Sequence, residues 1–177
     1  QNYDLSQISY YKTGGLCKEV FFPETIAEVC EALQQIKGPL LILGLGSNSL
    51  VLDEGWSGAV LCLKELNFIQ KIDAKTLSVE AGVINSDLAE YALRESLGGV
   101  AWMYGLPGLV GATARMNARC YGGEISQVVS QITTVTREGK VKTYQNSPIS
   151  KGVFQAYKKT IFMDNEEVVV AIQLSLT

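Results

Sequence analysis

Apolar positions fall in short blocks whose period changes part-way along the chain. Lys18 to Phe22 reads as a strand, and after Pro23-Glu24-Thr25 the residues Ile26, Val29, Cys30, Leu33 and Ile36 recur at the spacing of one helix face. Gly38 ends that helix. Leu40 to Leu43 is apolar throughout, as expected of a buried strand in a parallel sheet. Leu50-Val51-Leu52 predicts a further strand, Asp53-Glu54-Gly55-Trp56 a turn, and Gly58 to Leu63 another strand.

From Phe68 the blocks shorten. Strands are expected over Phe68–Ile72 and Leu77–Ala81, followed by a helix capped by Asn85 or Ser86. That helix carries Leu88, Tyr91, Ala92 and Leu97 on one face and closes at Gly98-Gly99. Gln127–Thr136 and Val141–Tyr144 form a hairpin about Arg137-Glu138-Gly139-Lys140, and Val168–Leu176 is the last strand. The pattern predicts an α+β protein with a small α/β unit over residues 1–64 and a mainly antiparallel unit over residues 65–177.

Composition narrows the chemistry. The 177 residues are 47% hydrophobic, enough for a real core, and the 15 basic and 18 acidic residues give a net charge of −3 with no run of either sign. Nucleic acid is not expected as a partner, because binding phosphate backbones needs clustered Lys and Arg. No apolar stretch is long enough for a membrane helix, and residues 1–15 lack a signal-peptide layout, so a cytoplasmic protein is expected. Cys17, Cys30, Cys62 and Cys120 show no CxxC spacing and read as free thiols. Histidine is absent, which argues against zinc hydrolysis and Ser-His or Cys-His catalysis.

Two glycine-rich segments carry the candidate chemistry. The first, LILGLGSNSLVLDEGW over residues 41–56, opens like a dinucleotide-binding loop with Gly44 and Gly46. It is followed by strand signals, whereas the Rossmann fingerprint needs a helix there. The second holds Gly105, Gly108 and Gly111, then Asn117, Tyr121, Gly122 and Gly123. Neither contains the Gly-Lys-Ser/Thr of a P-loop. Glycines at these spacings let backbone N–H groups approach an anion without lysines. Two such loops about 60 residues apart suggest a long ligand clamped between two subdomains, although each loop alone also suits a tight turn.

These segments resemble the UDP-N-acetylenolpyruvoylglucosamine reductase (MurB) family. Leu43-Gly-Leu-Gly-Ser-Asn-Ser-Leu-Val with Asp53-Glu-Gly-Trp-Ser-Gly58 is similar to the family's first flavin-binding stretch. Gly105-Leu-Pro-Gly-Leu-Val-Gly, Met116-Asn-Ala and Tyr121-Gly-Gly-Glu are similar to the second. Thr13-Gly14-Gly15 resembles the N-terminal Gly-Gly element, and Tyr157 with Thr160-Ile161-Phe162 resembles the segment closing the flavin domain.

The resemblance implies a two-subdomain FAD-binding fold of the vanillyl-alcohol oxidase type. Gly44, Leu45, Gly46, Ser47, Asn48 and Ser49 would hold FAD together with Gly105, Pro107, Gly108, Val110, Gly111, Ala112, Arg115, Asn117, Tyr121 and Gly123. The flavin ring would lie near Ala112 to Tyr121. It further implies NADPH as electron donor, a UDP-sugar substrate and Tyr157 with Lys158 as candidate catalytic residues.

Three departures follow from the same resemblance. The family's serine-bearing third domain is expected to be missing from this sequence, which leaves either a minimal enzyme or one completed by a C-terminal part or a protein partner. The family's Tyr-Arg pair is Tyr157-Lys158 here, which keeps the charge but loses the planar fork. Arg119 stands where the family has glycine, either meeting the reduced flavin's charge or pointing to solvent. Cys120 reads as a packed thiol, and without histidine it is the one residue weighed for a covalent flavin link. A MurB-like oxidoreductase is expected, with a non-catalytic flavin-binding module as the alternative and a cofactor-free interaction protein as a weaker one.

Overall fold

The computed structural model describes residues 2–146 and 152–177. The first sheet contains β1 (Tyr3–Asp4), β2 (Leu16–Phe21), β3 (Leu40–Leu43) and β4 (Trp56–Cys62) in the order β1-β2-β4-β3. β4 pairs in parallel with both β2 and β3. Between β2 and β3 runs α1 (Ile26–Gln35), started by the Thr25 side chain, which accepts the Glu28 N–H at 3.2 Å. Its Val29 and Leu33 enter a core with Leu61 and Leu63 below and Ala81, Val135, Val168 and Val170 above. Burying each of those two side chains contributes about 1.5–3 kcal/mol. The helix thereby welds the two halves of the molecule.

The second sheet contains β5 (Ile69–Lys71), β6 (Thr76–Glu80), β9 (Val129–Val135), β10 (Val141–Gln145) and β13 (Val168–Ser175) in the order β10-β9-β13-β6-β5. Every pairing in it is antiparallel. The helices α2 (Asn85–Arg94) and α3 (Val110–Arg115) share its core through Leu88, Ala92, Val110 and Ala114. Two small hairpins lie outside the sheets, β7 (Arg119–Cys120) with β8 (Gly123–Glu124) and β11 (Phe154–Ala156) with β12 (Lys159–Thr160).

Four local expectations are corrected. Residues 50–52 form no strand; the Gly14-Gly15 segment holds them, with Gly15 donating to the Leu52 carbonyl at 3.0 Å and Val51 packed against Gly14. Leu40 to Leu43 is a parallel strand but at the sheet edge, so only Leu43 is buried. Ile84 occupies the cap position of α2, and Asn85 lies inside the helix with its side chain in a buried network. Within the second glycine segment Val110–Arg115 is helical, because Gly111 lets the chain pass against β6: a Cβ there would lie 2.5 Å from the Ala81 Cβ.

Candidate functional site

The two glycine segments face one another across a cleft between the sheets. One wall is the edge strand β3 and the loop from Gly44 to Ser49; the other is Gly108, Leu109, Ala112, Arg115 and Met116, in a cavity of about 450 Å³. Its inner end continues past Gly111 and Ala81. At its outer end a space of about 190 Å³ is lined by Ser47, Asn48, Pro107, Arg119, Tyr157 and Lys158 among others. Together these spaces fall within the size range of small-molecule and cofactor sites.

The loop after β3 is shaped by turn chemistry. Gly46 takes φ +71°, a left-handed conformation that suits glycine, and its carbonyl accepts the Ser49 N–H at 3.2 Å. Among the described residues, the N–H groups of Gly46, Ser47 and Asn48 donate to no protein acceptor. Ser47 ties the two segments together by donating its hydroxyl to the Pro107 carbonyl at 3.2 Å. Behind the second segment Thr113 donates to Asn85 Oδ1 at 3.0 Å, and Asn85 Nδ2 donates to the Leu106 carbonyl at 3.3 Å. Asn85 is fully buried, so this staple holds the Pro107-Gly108 corner in place.

Among the described residues, the charged side chains lining the cleft are all cations, namely Arg115, Arg119 and Lys158. Arg115 closes α3 and has no carboxylate partner among the described residues; its one side-chain contact of hydrogen-bond length is to Met163 Sδ at 3.0 Å. Burial lowers its pKa from the ordinary value. A guanidinium nevertheless stays charged in proteins, so the cleft holds a half-buried positive charge with open donor capacity.

Not every residue expected at the site reaches the cleft. Gly44 to Ser49, Pro107, Gly108, Ala112, Arg115, Tyr157 and Lys158 line it, and Gly111 borders its inner end. Val110 is buried in the core of the second sheet. Gly105 sits in a turn at φ +77°, its N–H held by the Ser86 hydroxyl. Tyr121 is 89% exposed at the tip of the β7–β8 hairpin, and Gly123 lies against the Trp102 ring. Asn117 is buried and borders a separate cavity with Glu124 and Ser126, and its Oδ1 has no partner among the described residues. The sequence pattern marked Asn85 only as a helix cap and gave no sign of Thr113 or Met163; a polar residue inside the apolar face of α2 was the available signal for the first.

The family model described as FAD binding domain matches residues 18–145. The chain belongs to this family. Among curated proteins, the UDP-N-acetylenolpyruvoylglucosamine reductase of Lactobacillus delbrueckii subsp. bulgaricus is 34% identical over 179 residues, covering 99% of this chain and 59% of that protein. The reductase of Listeria monocytogenes is 35% identical over 178 residues, covering 99% and 58%. The crystal structure of UDP-N-acetylenolpyruvylglucosamine reductase (MurB) from Thermus caldophilus superposes with a TM-score of 0.81 at 26% identity, covering 100% of this chain and 62% of that one. This FAD-binding domain thus has the α+β, MurB-like fold that its motifs implied, and it spans about three fifths of the length of the curated relatives it matches.

Proposed function

We propose that the cleft between the sheets binds FAD and that the chain is the flavin-holding part of an NADPH-dependent reductase. The substrate is the enolpyruvyl ether of UDP-N-acetylglucosamine, reduced to UDP-N-acetylmuramate for peptidoglycan synthesis, as the names of the relatives suggest. The observation that carries this is the pairing, across one cleft, of a loop with three undonated N–H groups and of Arg115, which has no carboxylate partner, with no acidic lining among the described residues. Backbone amides and a guanidinium are the donor set that suits a pyrophosphate.

Gly46, Ser47 and Asn48 would hold the pyrophosphate from one wall of the cleft and Arg115 from the other. Lys158 and Tyr157 stand at the outer end, where the flavin ring and the substrate would meet. When bound, the flavin supplies the hydride, which it receives from NADPH. Lys158 offers a positive charge to the substrate anion without the fork of an arginine. A positioned general acid supplies the proton that completes the reduction. General acid catalysis of that kind contributes about 10²–10⁴-fold. Four free cysteines fit a reducing compartment, and the cytoplasm is the location proposed.

The test is the visible spectrum of the purified chain incubated with FAD, taken anaerobically before and after NADPH. Retained flavin bands that bleach with NADPH are the expected outcome. Flavin that binds but does not bleach would leave a flavin-binding module without this electron donor. Failure to retain FAD would overturn the proposal.

A further inference from the structure

The outer end of the cleft is built by two hairpins that neither sheet includes. β7–β8 and β11–β12 contribute only two or three residues per strand, and hairpins that small do not hold their own position in water. Side chains join them. Glu124 on β8 accepts Arg119 Nε at 2.8 Å and also the Nη2 of the same guanidinium, Ser126 Oγ at 2.7 Å and Asn117 Nδ2 at 2.7 Å. Asn117 Nδ2 lies in addition 3.0 Å from the Ala156 carbonyl on β11. The Arg119 guanidinium then lies over the Tyr157 ring, 4.9 Å from its centroid.

That geometry gives Arg119 a third role beside the two the sequence left open. The guanidinium is about half exposed, and its charge is already matched by Glu124, so it adds little net field to the cleft. What it does add is position. A planar guanidinium can fork a carboxylate with its edge while presenting its face to an aromatic ring, and no other cation does both. Tyr157 is half exposed, and the next residue, Lys158, holds φ +54°, a conformation that costs a non-glycine residue roughly 1–2 kcal/mol. Within the turn the β11–β12 pairing and Lys158 Nζ, 5.6 Å from the Tyr157 centroid, add support, and Arg119 reaches the same ring from the other hairpin.

We propose that Arg119 is a positioning residue: braced by Glu124, it fixes the Tyr157 ring and the Lys158 turn across the outer end of the cleft, and so retains the flavin. This rests on FAD binding as proposed above. Arg119 acts through Tyr157, and no step of the chemistry passes through it.

The experiment measures the dissociation rate of FAD from the loaded 177-residue chain, by the recovery of free-flavin fluorescence on dilution, alongside the melting temperature of the FAD-free protein. Arg119→Ala is expected to release FAD about tenfold faster, the scale of a lost cation–π contact together with a freed turn. The melting temperature should barely change, because Arg119 is exposed. Arg119→Lys should recover only part of the effect, and Tyr157→Ala should match Arg119→Ala. The double variant should be no worse than either single one, since both remove the same contact.

Unchanged release from Arg119→Ala, or single effects that multiply in the double variant, would overturn the positioning role while leaving FAD binding intact. A full rescue by Arg119→Lys would also overturn it, since charge alone would then suffice. A parent chain that takes up no FAD would overturn both proposals together.

Discussion

The two glycine-rich segments look alike as sequence and behave differently as structure. In the first, Gly46 shapes a turn whose neighbouring N–H groups stay open, and the loop from Gly44 to Ser49 faces the cleft throughout. In the second, the glycines divide between tasks: Gly108 lines the cleft, Gly111 and Gly123 make room for Ala81 and Trp102, and Gly105 turns in open space. A glycine is selected by whatever approaches it, and a ligand, a side chain and a left-handed turn leave the same letter. Clustering is therefore a weaker signal than the company each glycine keeps.

The contrast can be broken most sharply at a packing glycine. Gly111→Val places a branched side chain where a Cβ alone would lie 2.5 Å from the Ala81 Cβ. The displacement of α3 from β6 should cost about 3 kcal/mol, lowering the melting temperature of a domain this size by about 6–12 °C. A melt like that of the parent would show that Gly111 is not there for packing.

A second variant separates ligand binding from stability. Arg115→Ala removes a half-buried cleft cation that has no carboxylate partner among the described residues, so FAD affinity should fall about 10- to 100-fold, the worth of a charge-assisted hydrogen bond. The FAD-free protein should melt nearly as before. Isothermal titration and thermal denaturation together check both halves, and equal affinities would remove Arg115 from the site.

The smallest effect concerns the far end of the second segment. The Ser126 hydroxyl, with Arg119 and Asn117, holds the Glu124 carboxyl below its ordinary value of 4.5 despite partial burial. A depressed carboxylate pKa stabilises the fold above the unfolded value and ceases to do so as pH falls through the folded one. The melting temperature should thus stay level near neutrality and decline below the ordinary glutamate range, and Glu124→Gln should shallow that decline. An identical pH profile in the variant would show that the network adds nothing to stability.

Much of this was legible before any coordinates. The 3.6 period from Ile26 to Ile36 located α1, and the Arg137–Lys140 turn located the β9–β10 hairpin, because local patterning and turn chemistry act over a few residues. Where reading failed, a distant segment had intervened. Leu50-Val51-Leu52 has the letters of a strand, yet the Gly14-Gly15 segment occupies its hydrogen-bonding edge only in part, and no ladder forms. Asn85 looks like a cap, but Thr113 and the Leu106 carbonyl draw its side chain inward.

The same division holds for the candidate site. Motif order and spacing were enough to relate the chain to an FAD-binding family and to name the loop from Gly44 to Ser49, since a tight, donor-rich turn is a local property. Which of the remaining residues share one cleft was set by tertiary packing. Asn117, Tyr121 and Gly123 are close in sequence to Arg119, but the short β7–β8 hairpin buries the first, exposes the second and sets the third beneath a tryptophan. Tyr157 comes to Arg119 from 38 residues further along the chain. No periodicity records such a meeting, because the contact exists only once two hairpins have been brought together by the sheets that carry them.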